Sequence, residues 1–137
     1  MRLRGNCTRR PDILAGRVML ARVDELVGIN ADFVIETTLA SLTYARKISA
    51  WRERGYIVSL AYLRLASIAE SMARVRKRVE AGGHGIPEVA IQRRFERSLR
   101  YLDSIYKPLV DEWYIWESRS GGFALVDSWD GRHASRT

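Results

Sequence analysis

The residues predict an α/β fold, a mostly parallel sheet flanked by helices, and three observations carry that expectation. Short apolar runs rich in β-formers, Phe33–Glu36 and Tyr56–Leu63, alternate with helix-length stretches of amphipathic spacing. The run at 56–63 shows no strict alternation with polar residues, as expected of a parallel strand covered on both faces. Glycines stand at the ends of the first three helical stretches, at Gly28, Gly55 and Gly82-Gly83.

Taken in order, Asp12 follows Pro11 and precedes Ile13-Leu14-Ala15, which suits an N-cap, and a helix is expected to about Val27. Phe33–Glu36 is short, apolar and β-forming, and is expected as a buried strand. Thr37-Thr38 leads into a helix over Ser41–Arg54. Tyr56–Leu63 is the second expected strand. Leu65, Ile68, Met72, Val75 and Val79 then recur at three and four residues and define one helical stripe. Pro87 suits the first turn of the next helix, whose stripe is Ile91, Phe95, Leu99, Leu102 and Tyr106. Trp113–Trp116 and Phe123–Val126 are short final strands around a Ser-Gly-Gly turn. Three segments are expected: a basic, loose residue range 1–13, a folded range 14–128, and a flexible tail 129–137. Strands alternating with helices imply right-handed crossovers.

A chain of 137 residues, 47% apolar, is long enough for one domain with a real core. The single cysteine, Cys7, excludes an intrachain disulfide and fits a reducing cytoplasm. The best apolar run, Tyr56–Leu63, falls far short of the roughly 20 residues a membrane helix needs. The formal net charge is +7, and nine basic residues against four acids lie between Arg64 and Arg100. The positive charge is therefore concentrated there. It reads as two solvated helix faces, or as an attraction for nucleotides or nucleic acid. Only Phe95 interleaves with these arginines, and it lies on the apolar stripe, so stacking on single strands has little support.

Arg74 and Arg78 are one turn apart, and Arg94 flanks the stripe of the following helix. Arginines so placed can lean over a cleft and grip phosphate in bidentate fashion, or can simply snorkel. Together with the Gly82-Gly83-His84-Gly85 loop they suggest a pocket that closes over an anion. Glu36 reads two ways. At the carboxyl end of a strand it could orient or deprotonate a substrate hydroxyl, and as an acid near a helix start it could only complement the dipole. Thr37 and Thr38 could bind an anion or cap the helix. His84 and His133 are the only histidines and no cysteine pair exists, so no metal site is expected.

These residues also resemble a known family. Ala15-Gly16-Arg17, Phe33-Val34-Ile35-Glu36-Thr37-Thr38-Leu39, Gly55-Tyr56, Arg74-Val75, Gly82-Gly83-His84, Pro87-Glu88, Arg93-Arg94-Phe95 and Tyr106-Lys107-Pro108-Leu109 look like the zeta-toxin-like P-loop kinases. More narrowly, they resemble the bacterial branch often labelled predicted ABC-type ATPases. The resemblance runs over residues 14 to 127. It implies a P-loop NTPase-like fold and ATP-dependent, magnesium-dependent phosphoryl transfer to a small molecule in the cytoplasm. It also implies a nucleotide or phosphorylated small molecule as ligand, and an antitoxin or an upstream-encoded fragment as partner. By analogy Glu36 would face the acceptor, and Arg74, Arg78 and Arg94 belong to the lid-like region. Of these, Arg78 and Arg94 best match the contacts to ATP phosphates.

The sequence departs from the family pattern at one place. Residues 1–13 stand where the family carries its first strand and a Gly-x-x-x-x-Gly-Lys-Ser/Thr loop, and that motif occurs nowhere in the 137 residues. The expectation is the carboxy-terminal part of such a kinase, from a truncated or frame-disrupted gene or a misplaced start. It would be inactive alone, because no backbone cradle or motif lysine holds the β-phosphate. The alternative is a non-catalytic basic module that binds nucleotide or nucleic acid through its arginines.

Overall fold

The computed structural model describes residues 11–83 and 87–131. The chain divides into two compact units, Met1–Glu36 and Thr37–Thr137. The Gly85 and His84 positions of the expected loop, and the ends of the chain, lie outside the described residues.

The first unit holds one long helix, α1 (Pro11–Gly28). Asp12 falls inside it rather than ahead of it, and Gly28 is helical rather than the terminator. The helix is closed by Asn30, whose φ of 54° places it in the left-handed region. The Ala31 amide donates to Leu26 O at 2.9 Å and the Asn30 amide to Val27 O at 3.1 Å, a Schellman closure. Asparagine tolerates this conformation because its short polar side chain costs little there.

Phe33–Glu36 is the main correction to the expected architecture. These residues belong to no strand, and the sheet is built without them. Val34 is 94% exposed, so this is not a buried strand, and Glu36 does not end one. β-forming residues supply a tendency to extend, but a strand exists only where another strand supplies hydrogen bonds.

The second unit is α/β. Its elements are α2 (Thr43–Glu53), β1 (Ser59–Arg64), α3 (Ile68–Glu80), α4 (Glu88–Tyr101), a π-helical turn (Leu102–Tyr106), α5 (Lys107–Leu109), β2 (Glu112–Arg119) and β3 (Gly122–Asp130). The three strands lie in the order β1-β2-β3. β1 pairs parallel to β2, from Ser59 opposite Glu112 to Arg64 opposite Glu117. β2 pairs antiparallel to β3, with a register shift at Ile115/Trp116. The sheet is therefore mixed rather than mostly parallel: the expected crossover from 56–63 to 113–116 is parallel, and the final hairpin around Gly121-Gly122 is not.

β1 also departs from its expected burial. It alternates exposed and half-buried residues along its length, with Leu63 57% exposed. An edge strand with one face on the helices has this pattern, whereas the continuous apolar run suggested cover on both faces. β3 continues through Trp129 and Asp130, two residues into the range expected as tail.

The core of the second unit is Leu39, Ile48, Trp51, Ile91, Leu102, Tyr106, Val110 and Ile115. The Tyr106 hydroxyl donates to Ser41 O at 2.6 Å, tying the π-turn to the entrance of α2. Because the Lys107 amide bonds back to Leu102 O, five residues earlier, the turn is widened by one residue. Leu102 and Tyr106, at the two ends of the turn, are both buried.

A second tie fixes the start of the sheet. Arg52 donates Nε to Asp111 Oδ1 at 3.0 Å and Nη1 to Leu109 O at 3.0 Å, while Asp111 Oδ2 accepts the Val58 amide at 2.8 Å. The end of α2, the approach to β1 and the approach to β2 thus meet at one carboxylate.

Candidate functional site

The arginine-rich region forms a helical hairpin, α3 against α4. α3 begins at Ser67, whose hydroxyl accepts the Glu70 amide at 3.2 Å. Glu70 in turn accepts the Ala66 amide at 3.0 Å, so the first turn is closed from both directions. α3 ends on a second Schellman closure. Gly82 has φ 94°, its amide donates to Val79 O at 3.0 Å, and the Gly83 amide donates to Arg78 O at 2.8 Å. Gly83 is required for closeness rather than for φ: a Cβ there would sit 2.8 Å from Arg78 O and 2.9 Å from Arg78 Cγ. Pro87 stands directly before α4, where its fixed φ suits a helix start.

Between the helices lies an apolar groove of about 300 Å³ lined by Met72, Val75, Val79 and Ile91, with Arg76, Glu80 and Glu88 at its rim. Arg76 reaches Glu88 at 3.9 Å and links the end of α3 to the start of α4. This groove consumes most of the predicted α3 stripe, so the apolar residues hold the hairpin together and leave the arginines outside.

The arginines divide into two groups. Arg74 is engaged. It lies 3.5 Å from Glu70 Oε1, and its guanidinium carbon is 5.6 Å from the centroid of the Phe123 ring. Arg78, Arg93, Arg94, Arg97 and Arg100 are exposed and form no ion pair among the described residues. The Arg78 Cγ lies close to Gly83, at the glycine turn. Glu96, the nearest acid in sequence on α4, instead accepts from Gln92 at 3.2 Å. Guanidinium groups in this state can donate in pairs to phosphate or carboxylate oxygens.

Glu70 is the node that the residue pattern did not single out. Its carboxylate accepts the Ser118 hydroxyl at 2.7 Å, the Ala66 amide at 3.0 Å, and lies beside Arg74. The Ser118 hydrogen bond first, then the Ala66 amide and the Arg74 charge, hold its pKa below the ordinary carboxylate value. The spacing Ser67-x-x-Glu70 followed by Arg74 four residues on was the available signal: a capping box and an i,i+4 ion pair.

Of the predicted site residues, Arg74 and Arg78 share α3 and Arg94 lies on the helix packed against it. Glu36 belongs to the first unit, exposed, at the end of a segment whose Phe33, Val34 and Ile35 line an apolar cleft of about 640 Å³ with Leu14, Val18 and Val23 of α1. Thr37 and Thr38 do not cap α2. Their hydroxyls accept the amides of Leu39 and Ala40, two residues on, at 3.2 and 3.4 Å. That turn sets Leu39 at φ 55° and buries its side chain. Trp51 is core, and Trp113 lies under Lys107, whose amine is 4.2 Å from the ring centroid.

Over 87 residues the chain is 29% identical to an uncharacterized protein of Haemophilus influenzae, an alignment covering 64% of this chain and 62% of that one. The chain thus spans less than two thirds of the length of the relative it matches. No family model matches the chain, and no solved structure matches it. Among the described residues no helix is long and apolar enough to cross a membrane.

Proposed function

We propose that this chain is the arginine-rich, nucleotide-facing part of a zeta-toxin-like ATP-dependent small-molecule kinase, and that residues 1–137 bind nucleotide without transferring phosphate. The observation that carries the reading is the state of the α3–α4 hairpin. Two packed helices present five exposed arginines with no ion pair among the described residues, while the nearby acids Glu70, Glu88 and Glu96 are already bonded. Cations held close repel one another, and a polyphosphate relieves that repulsion. Arg78 at the turn and Arg94 on the facing helix are the phosphate ligands in this proposal. Glu36, in the first unit, keeps an acceptor-facing role only as what the resemblance implies.

ATP fits these residues and magnesium does not. The hairpin offers chiefly cations, its carboxylates gather into no cluster of three among the described residues, and the Gly-x-x-x-x-Gly-Lys-Ser/Thr loop is absent from residues 1–137. No metal-dependent step is therefore assigned to them. Positioning and electrostatics supply nearly all of the catalysis in phosphoryl transfer, so binding without turnover is the expected behaviour.

One observation favours a second reading. Arg93, Arg97 and Arg100 recur at four and three residues and share one side of α4, a basic row suited to a nucleic-acid backbone. Thermal melting separates the two. The kinase reading expects ATP to raise the melting temperature, and Arg78→Glu to remove most of that shift. The nucleic-acid reading expects an oligonucleotide to stabilise strongly, ATP weakly, and Arg97→Glu to matter more than Arg78→Glu. No shift with either ligand contradicts both.

A further inference from the structure

We propose that Arg74 is a positioning residue rather than a phosphate ligand: with Glu70, Ser118 and Phe123 it forms a latch that fixes α3 on the β2–β3 hairpin and thereby sets where Arg78 presents its charge. The inference rests on the reading of the α3–α4 hairpin as an anion site, and it removes one of the arginines that the sequence nominated.

The geometry assigns each member a part. Glu70 sits in the first turn of α3, where its carboxylate both closes the helix on the Ala66 amide, at 3.0 Å, and reaches across to the Ser118 hydroxyl of β2, at 2.7 Å. Arg74, one turn on, lies beside the same carboxylate at 3.5 Å and over Phe123 of β3 at 5.6 Å. Ser118 and Phe123 are directly paired across the strands, so both ends of the latch grip the same rung of the hairpin. Arg74 therefore has its charge answered by Glu70 and its flat face by an aromatic ring, whereas Arg78, four residues on and also exposed, has neither.

An arginine that binds phosphate and one that merely holds the helix differ in what they do to the salt dependence of binding. Losing a ligand charge weakens binding and flattens its dependence on salt, because fewer charges are neutralised; losing a positioning residue weakens binding with the slope kept. The experiment is ATP titration, without magnesium, at several salt concentrations, on the full chain. Arg78→Gln is expected to weaken ATP roughly tenfold and to flatten the slope. Arg74→Met is expected to weaken it about threefold with the slope unchanged, and Arg74→Lys, which keeps the charge over Phe123, to restore it. Glu70→Gln should act in the same direction as Arg74→Met.

Two outcomes overturn the proposal. The first is a slope flattened by Arg74→Met as by Arg78→Gln, and the second is tighter ATP binding in Glu70→Gln, with Arg74 released to bind it. Thermal melting of Glu70→Gln, Phe123→Leu and the double variant reads the latch without any ligand. Losses smaller in combination than their sum support it, and strictly additive losses overturn it. If the unaltered chain fails to bind ATP while that coupling is present, the nucleotide reading falls and the latch stands.

Discussion

Replacing Tyr106 by phenylalanine isolates one buried hydroxyl in the centre of the second unit. The side chain is 1% exposed, and its hydroxyl donates to Ser41 O at 2.6 Å. Phenylalanine keeps the ring and its packing and deletes the hydroxyl, which donates to Ser41 O and accepts from the Ala45 amide. The cost is expected at about 1–2 kcal/mol, a hydrogen bond lost plus part of the penalty for an acceptor left without a donor. Tyr106→Ala removes the ring as well, and is expected to cost about 3–5 kcal/mol.

Burial also raises the Tyr106 pKa above 10.0. A group whose folded pKa is raised lends stability that is fully present below the unfolded value and is lost as pH rises through the folded one. The alkaline limb of the unaltered protein should therefore fall above about pH 10, and Tyr106→Phe should flatten it. Urea unfolding with a common slope for all variants is the assay. A cost for Tyr106→Phe equal to that of Tyr106→Ala, or none at all, would refute the assigned role of the hydroxyl.

Four further outcomes follow from the same geometry. Gly82→Ala places a Cβ at φ 94° and is expected to cost about 1 kcal/mol by chemical denaturation, from left-handed strain alone. Gly83→Ala, whose Cβ would meet Arg78 O at 2.8 Å, should instead break the closing bond of α3 and reduce ATP stabilisation along with Tm. Because the Glu70 pKa is lowered below 4.5, the stability it contributes is present above that value and lost as pH falls through the folded pKa; Glu70→Gln should flatten the acid limb between those points. Asp111→Asn weakens the Arg52 pair at 2.8 Å and the bond from the Val58 amide, and is expected to cost about 1–3 kcal/mol in urea unfolding.

The helices were legible from residue pattern because their signals are local. The α3 stripe ends at the glycine pair it was expected to end at, and Gly55, φ 96°, closes α2 just past Arg54. What failed was non-local. Phe33–Glu36 has the composition of a strand, yet pairing is set by a partner elsewhere in the chain, and no β-former states whether that partner exists. The apolar run of β1 likewise carries no mark of its place at the edge of the sheet. The π-turn was invisible for a different reason: Leu102 and Tyr106 are four apart, so an α-helical stripe already accommodates both. At the candidate site the sequence located the arginines but not their partners. Glu70 and Arg74 announce a pair by spacing, whereas Ser118 and Phe123 meet them only through the fold.

The central claim, a focused anion site on the α3–α4 hairpin, is tested most directly by calorimetric titration of ATP into the unaltered chain and into Arg78→Glu, Arg94→Glu and Arg100→Glu. The account predicts that reversal at Arg78 or Arg94 weakens ATP by roughly tenfold or more, and that reversal at Arg100 costs about twofold, since a distant exposed charge is largely screened. Equal losses at all three positions would show a diffuse basic surface and contradict the account.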